Sequence, residues 1–167
     1  MKYNPDDYEL YVGIYENLAA NNMTDEGEEY LNRAFDIKGN SAENLTWRGR
    51  IYYLLGQYAN AVKELEEAVK KDSAKANLYL AQVYEAEEDS ANAEKYYQAY
   101  VDSGTADSVA MNALAEIQMG KGNYEAALED IRQGLAMDNV TNQQELLSNQ
   151  IIAYEYSGDF TSAWDVV

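Results

Sequence analysis

Small and large apolar residues recur along this chain with a period of about 34 residues. A small residue stands at spacings of 34, 32, 34 and 36 residues, at Gly27, Ala61, Ala93, Ala127 and Ala163. A larger apolar side chain follows four residues after each, at Leu31, Leu65, Tyr97, Ile131 and Val167. Steps of three, four and seven residues lie on one face of an α-helix. Because a small residue lets two helix backbones approach closely, the pattern predicts amphipathic helices that pack tightly against a neighbour.

A second amphipathic helix precedes each of these. Its apolar positions are Tyr11, Ile14 and Leu18, then Leu45, Gly49 and Tyr52, then Leu80, Ala81 and Tyr84, then Met111, Leu114 and Ala115, and finally Leu147, Ile151 and Tyr154. The two helices are joined by a glycine, a polar residue and an aromatic, as in Gly56-Gln57-Tyr58. The glycine ends one helix and the polar residue helps to start the next. Glu88-Asp89-Ser90 takes the place of this turn and lacks the glycine.

The chain therefore divides into five helix-turn-helix repeats, at about 8–41, 42–73, 74–107, 108–143 and 144–167, with the last one incomplete. Since such repeats bury their apolar faces only by stacking, the sequence predicts an all-α superhelix, or solenoid, as a single domain over residues 1–167.

The repeat resembles the tetratricopeptide repeat family. The second repeat carries the resemblance best, with Gly49, Tyr52, Gly56, Tyr58, Ala61, Leu65 and Ala68. The fourth supplies Leu114, Ala115, Gly122, Tyr124, Ala127 and Leu135. The chain departs from the family where Tyr15 and Ile151 replace a small residue of the first helix, where Tyr100 replaces one of the second, and where Gly39, Ser73, Thr105 and Asn139 replace a closing proline. Sel1-like and pentatricopeptide repeats are the alternatives; the 34-residue period disfavours the first.

Charge and composition narrow the function. The net charge is −18, which repels nucleic-acid phosphates and anionic lipid, and so disfavours the RNA-binding pentatricopeptide class. The chain has no cysteine and no histidine, so the usual zinc sites and Ser-His-Asp triads are excluded. Acidic clusters such as Glu85-Glu87-Glu88-Asp89 lack an EF-hand pattern and are expected to be solvated helix surface. No catalytic residue, cofactor or metal is predicted.

The resemblance implies that the first helix of each repeat lines a concave groove that binds a peptide or protein segment. The expected contact residues are Glu16, Arg50, Tyr53, Leu78, Gln82, Glu85, Asn112, Glu116, Met119 and Tyr156. The same predicted helix faces also carry Glu9, Val12, Glu43, Thr46, Lys75, Glu145, Ile152 and Glu155. This mostly acidic set, with a few apolar members, favours a neutral or basic partner with apolar anchors. A chaperone-type carboxylate clamp is not expected, because Arg50 and Lys75 are the only basic members.

The sequence thus predicts a non-catalytic protein–protein interaction scaffold. A bacterial complex and the cell envelope are the two settings considered for it. A recruiting or regulatory segment of a larger enzyme and a self-assembling module are the alternatives. The compartment stays open between cytoplasmic and extracytoplasmic. Because the fifth repeat has no polar cap, Trp164 and Val167 are expected to be poorly covered, which predicts a longer array, a partner over this end, or homo-oligomers formed through it.

Overall fold

The computed structural model describes residues 7–166, so Val167 of the repeat pattern lies outside the described residues. Within 7–166 the chain is helical and contains no strand, which confirms the all-α prediction. The helices are α1 (Tyr8–Ala20), α2 (Thr24–Ala34), α3 (Ala42–Leu54), α4 (Tyr58–Val69), α5 (Ala74–Ala86), α6 (Ser90–Asp102), α7 (Ser108–Gly120), α8 (Tyr124–Leu135), α9 (Gln143–Ser157) and α10 (Phe160–Asp165).

The turn inside each repeat is set by one residue with a positive φ. It stands five residues before each repeated small residue and is Asn22, Gly56, Glu88, Gly122 or Gly158, with φ of 61°, 68°, 59°, 77° and 85°. After α3 and α7, the next backbone N–H closes the helix by donating to a carbonyl five residues earlier, as Gln57 does to Tyr52 at 2.8 Å. Glu88 therefore adopts, without being glycine, the left-handed backbone conformation that glycine favours, at the position where the motif lacks its glycine.

The repeated small residues lie in the interior as predicted. Ala61, Ala93 and Ala127 are fully buried, and the large residues four positions later, such as Leu65 and Ile131, are buried with them. The fit is close: a Cβ atom built on Gly49 would lie 2.4 Å from Leu65 Cγ. Glycine at position 49 therefore leaves the room that the Leu65 side chain occupies.

The departure at Tyr15 has a local compensation. Tyr15 stands in α1 where α3 has Gly49, and its ring occupies the space beside Gly27 of α2. A Cβ atom built on Gly27 would lie 3.0 Å from Tyr15 Cδ2. In the first repeat the bulky residue is on the first helix (Tyr15) and the small one on the second (Gly27), the reverse of Gly49 and Leu65 in the second repeat. A bulky side chain still packs against a small one.

The chain forms two compact units, one ending at Glu87 and one beginning at Glu88. In the N-terminal unit, α1 packs on α2, α3 on α4, and α5 on α3 and α4. Its core includes Tyr8, Tyr11, Val12, Leu31, Ala34, Ile37 and Ile51. In the C-terminal unit, α6 packs on α7, α7 on α8, and α9 on α7, α8 and α10. Its core includes Ala115, Ala127, Ile131 and Leu146.

The predicted apolar stripe is wrong for α9. Leu146 and Ala153 are fully buried there, whereas Leu147, Ile151 and Tyr154 are half-buried. The sequence has adjacent apolar pairs at 146–147 and 153–154, so periodicity admits two registers one residue apart. Packing against α8 selects the register that places Leu146 beside Gly134, where a built Cβ would lie 3.2 Å from Leu146 Cδ2.

Candidate functional site

The first helices of the N-terminal unit bring aromatic and charged side chains together around Trp47 on α3. The guanidinium of Arg50, one turn further along α3, lies 5.5 Å from the centre of the Trp47 ring and 5.2 Å from that of Tyr79 on α5. Arg50 also donates to Tyr79 Oη at 3.0 Å and pairs with Glu16 of α1 at 2.5 Å. Lys75 of α5 places its Nζ 5.8 Å from the centre of the Trp47 ring. We call Trp47, Arg50, Lys75 and Tyr79 the Trp47 cluster.

Two cavities flank Trp47 and differ in charge. The first, of about 230 Å³, is lined by Asp7, Tyr8, Glu9, Ile37, Glu43, Asn44 and Trp47. Its aromatic wall is formed by Tyr8 and Trp47, whose rings stack at 6.5 Å. The second, of about 270 Å³, is lined by Ala42, Glu43, Thr46, Trp47, Ser73, Lys75 and Tyr79. The first cavity thus has three carboxylates, whereas the second, which shares Glu43 with it, has two aromatic rings and one ammonium group.

The structure places the N-terminal members of the predicted groove in different environments. Glu16 and Arg50 form the ion pair just described. Leu78 of α5 is buried, and so are Val12 of α1 and Thr46 of α3, which belong to the wider set. Tyr53 is half-buried with its ring 6.1 Å from that of Tyr58. Burial, Tyr58 and the charge of Glu85 raise the pKa of Tyr53 above its ordinary value. Gln82 is half-buried and Glu85 is exposed.

Sequence reasoning missed Trp47 and Tyr79, the two rings at the centre of this cluster. The signal was available in the helical spacing: Trp47 precedes Arg50 by three residues, and Tyr79 follows Lys75 by four. Both spacings put an aromatic and a cation on one helix face. Trp47 lies two positions from both Leu45 and Gly49, and Tyr79 lies one position from Leu80, so neither ring belongs to the apolar stripe and the motif did not mark them.

In the C-terminal unit the predicted groove residues form a polar network between α7 and α9. Asn149 donates to Asn112 Oδ1 at 2.9 Å and to Glu116 Oε1 at 3.0 Å, and Asn112 donates to the same Glu116 oxygen at 2.9 Å. Asn112 is buried, so the network holds the two first helices together. Met119 packs half-buried against the core, and the Tyr156 side chain is exposed with its ring 5.8 Å from that of Tyr124.

Among residues 7–166, no group of three or more carboxylates is arranged to hold a metal ion. Over the same residues, none of the helices has the length and apolar character needed to cross a bilayer. The Trp47 cluster offers aromatic contact, hydrogen bonds and charge.

Asp130 of α8 gives the C-terminal unit a measurable pH dependence. Partial burial, with the charges of Glu129 and Glu94, raises the pKa of Asp130 from its ordinary 3.8 to about 6. The charged form is thus disfavoured in the folded state, so this group contributes most stability below pH 3.8 and loses that contribution as the pH rises through 6.

Asp130→Asn is expected to raise the free energy of unfolding at pH 7 by about 1 kcal/mol, a figure discounted because the group keeps part of its hydration. At pH 4.5 the gain should have largely disappeared. Urea denaturation at both pH values measures it, with Glu125→Gln, at an exposed position of the same helix, as the control. An equal gain at both pH values would contradict the assignment.

Helix pairs that pack through small residues, as α3 and α4 do in one unit and α7 and α8 in the other, define an all-α helical-repeat protein. The chain belongs to the tetratricopeptide repeat family, whose models match residues 47–108 and 109–141, together more than half of the chain. Tetratricopeptide repeat proteins are in general protein-interaction scaffolds, and membership of the family indicates this class of function for the chain.

Individual relatives agree with the family. Human tetratricopeptide repeat protein 8 is 26% identical over 138 residues, which is 80% of this chain and 26% of the relative, so the chain spans about a quarter of its length. The crystal structure of PilW, described as a widely conserved type IV pilus biogenesis factor, has a TM-score of 0.75 at 18% identity and covers 98% of this chain and 76% of its own. The crystal structure of YrrB, a TPR protein with an unusual peptide-binding site, has a TM-score of 0.63 at 18% identity over 98% of this chain and 84% of its own. These similarities describe a shared fold.

Proposed function

We propose that this chain is a non-catalytic scaffold that binds an extended protein segment on the first-helix face of its N-terminal unit, at the Trp47 cluster. The observation that carries the proposal is that Trp47 lines two side-chain-sized cavities, one acidic and one mainly aromatic. The peptide-binding site named for YrrB, a protein of the same fold, supports the class of ligand.

The pocket beside Lys75 and Tyr79 accepts an apolar or aromatic side chain. A volume of about 270 Å³ is large enough for one such group, and Tyr and Trp walls bury area at a low cost in side-chain entropy. Arg50, which Glu16 holds in an ion pair, lies against the rings of Trp47 and Tyr79, so these two walls of the pocket are already ordered before a ligand arrives.

The opposite cavity selects a basic or neutral neighbour for that anchor. Asp7, Glu9 and Glu43 line it, and the whole chain carries a net charge of −18. A lysine or arginine of the ligand placed here gains attraction from three carboxylates, whereas an acidic residue would be repelled. The expected ligand is therefore an extended segment with one apolar anchor and a nearby cation.

The test uses short fluorescein-labelled Gly/Ser peptides that carry one phenylalanine and one lysine at varied spacing. A matched set carries glutamate in place of lysine. We expect fluorescence anisotropy to show saturable binding of at least one lysine peptide, about tenfold or more weakened by Trp47→Ala or Tyr79→Ala. The matched control is Trp164→Ala in the C-terminal unit, which should bind as the parent chain does. In Trp164→Phe, the emission of Trp47 alone should report the same titration.

Two results would overturn the proposal. One is binding to the Trp47→Ala variant with unchanged affinity while its circular dichroism shows a folded chain. The other is the absence of saturable binding by every lysine peptide up to about 1 mM, the weak end of specific recognition. A preference for the glutamate set would reject the charge selection.

A further inference from the structure

Two hydroxyl groups that line the pocket beside Lys75 and Tyr79 form a hydrogen-bond chain whose direction is fixed. Thr46 Oγ1 lies 2.7 Å from the backbone carbonyl oxygen of Ala42 and 2.8 Å from Ser73 Oγ. A carbonyl oxygen only accepts, so the single hydroxyl hydrogen of Thr46 is donated to Ala42. Ser73 must then donate its own hydrogen to Thr46, and the lone pairs of Ser73 Oγ stay available for another donor.

The position of Ser73 in the chain makes this arrangement unusual. Ser73 is the N-cap residue of α5, where a serine side chain commonly accepts from a backbone N–H of the first turn, yet it makes no such bond. By contrast, Ser41, the N-cap of α3, accepts from the backbone N–H of Asn44 at 3.1 Å. Since Ser73 lines the pocket beside Lys75 and Tyr79, its hydroxyl supplies that pocket with a hydrogen-bond acceptor.

Lys75 supplies the same pocket with a donor. Its Nζ lies 5.8 Å from the centre of the Trp47 ring, and among residues 7–166 it pairs with no carboxylate. An ammonium group carries three N–H donors and no acceptor. Glu43 is a second acceptor in the lining, but it is exposed and keeps its hydration, whereas Ser73 is half-buried. The pocket thus combines aromatic walls with one half-buried acceptor and one donor.

We propose that the side chain anchored in this pocket is a tyrosine, whose hydroxyl donates to Ser73 Oγ and accepts from Lys75 Nζ. This rests on the proposed function, because it assigns the anchor of the same extended segment. A phenol hydroxyl both donates and accepts, and its ring matches the walls formed by Trp47 and Tyr79. Phenylalanine fills the same space but leaves both polar groups without a partner after water has been displaced. Tryptophan can only donate, so it satisfies Ser73 alone.

The test compares three unlabelled Gly/Ser peptides by isothermal titration calorimetry, over the same lysine spacings as in the anisotropy assay. They differ only in the anchor, which is phenylalanine, tyrosine or O-methyltyrosine. We expect the tyrosine peptide to bind about tenfold more tightly than the phenylalanine peptide, because it gains two hydrogen bonds, one of them to a charged group. O-methyltyrosine has no hydroxyl hydrogen to donate, so it should lose most of this gain.

Two variants assign the partners, and their readout is the ratio of tyrosine to phenylalanine affinity. Ser73→Ala removes the acceptor and Lys75→Met removes the donor, so each should lower the ratio from about ten to about three or less. Ser73→Ala removes no helix cap and keeps the bond from Thr46 to Ala42, so the chain should stay folded by circular dichroism. The control is Ser148→Ala on α9, an exposed serine whose hydroxyl also donates to a backbone carbonyl; its ratio should stay at about ten.

The outcomes separate this proposal from the one on which it rests. A ratio near one in the parent chain, with binding that Trp47→Ala still weakens, would overturn the tyrosine anchor and leave the binding site standing. An unchanged ratio in folded Ser73→Ala and Lys75→Met would also overturn it. If Glu43→Gln alone abolishes the preference, the acceptor is Glu43 and the assignment of Ser73 is wrong. The absence of saturable binding by every peptide would reject both proposals.

Discussion

Replacing Gly49 by alanine is expected to destabilise the N-terminal unit, although the same change elsewhere in a helix usually stabilises. A Cβ atom at position 49 would lie 2.4 Å from Leu65 Cγ and 2.6 Å from Leu65 Cδ2. Leu65 is fully buried, so the residues packed around it restrict how far its side chain can move. We expect a net cost of about 1–3 kcal/mol from this overpacking, after the gain in helix propensity.

Gly13→Ala is the matched control. Gly13 lies inside α1, in the same unit, and nothing lies within 4 Å of a Cβ atom built there. The substitution should therefore stabilise by up to about 1 kcal/mol through helix propensity alone. Urea denaturation followed by circular dichroism compares the two variants; a stabilising Gly49→Ala would show that the α3–α4 contact is looser than the structure has it.

A double-mutant cycle with Leu65→Ala tests the contact itself. Leu65→Ala alone should cost about 2–5 kcal/mol, because it leaves a cavity beside Gly49. The double variant should cost less than the sum of the two single variants by about 1 kcal/mol or more, since the new methyl group occupies part of that cavity. Strict additivity would mean that residues 49 and 65 do not compete for space.

Ile131→Ala should produce a loss of similar size in the C-terminal unit. Ile131 is fully buried and belongs to the core of Ala115, Ala127 and Leu146. Truncating a buried isoleucine costs about 2–5 kcal/mol, depending on how far the site can collapse. Gly134, three residues further along α8, already packs closely against Met111 and Leu146, so little collapse is available.

Hydrogen exchange locates the effect. In repeat proteins each element is supported by its neighbours, so amide protection should fall most in α7, α8 and α9, which share this core. Val109→Ala is the control, because 46% of the Val109 surface is exposed and truncation should change stability by no more than about 0.5 kcal/mol. A loss of protection confined to α8 would contradict a shared core.

The predicted site was only partly visible in the sequence. Arg50 and Glu16 were expected contact residues, and the structure joins them in one ion pair 34 residues apart in the chain. Trp47 and Tyr79 were missed because neither stands at a position that the repeat motif names. The apolar register of α9 was misassigned because adjacent apolar residues let periodicity fit twice.

The sequence by itself determined the elements of this protein: a period of small residues sets the helix pairs, and a residue five positions before each sets the turn. Local backbone preference and helical spacing are enough for that, because both act over a few residues. Only the tertiary structure decided which side chains of different helices share a space, such as Tyr15 with Gly27, Trp47 with Lys75, or Arg50 with Tyr79. Those pairings depend on side-chain volume and charge across separate helices, and the periodicity within one helix carries no information about either.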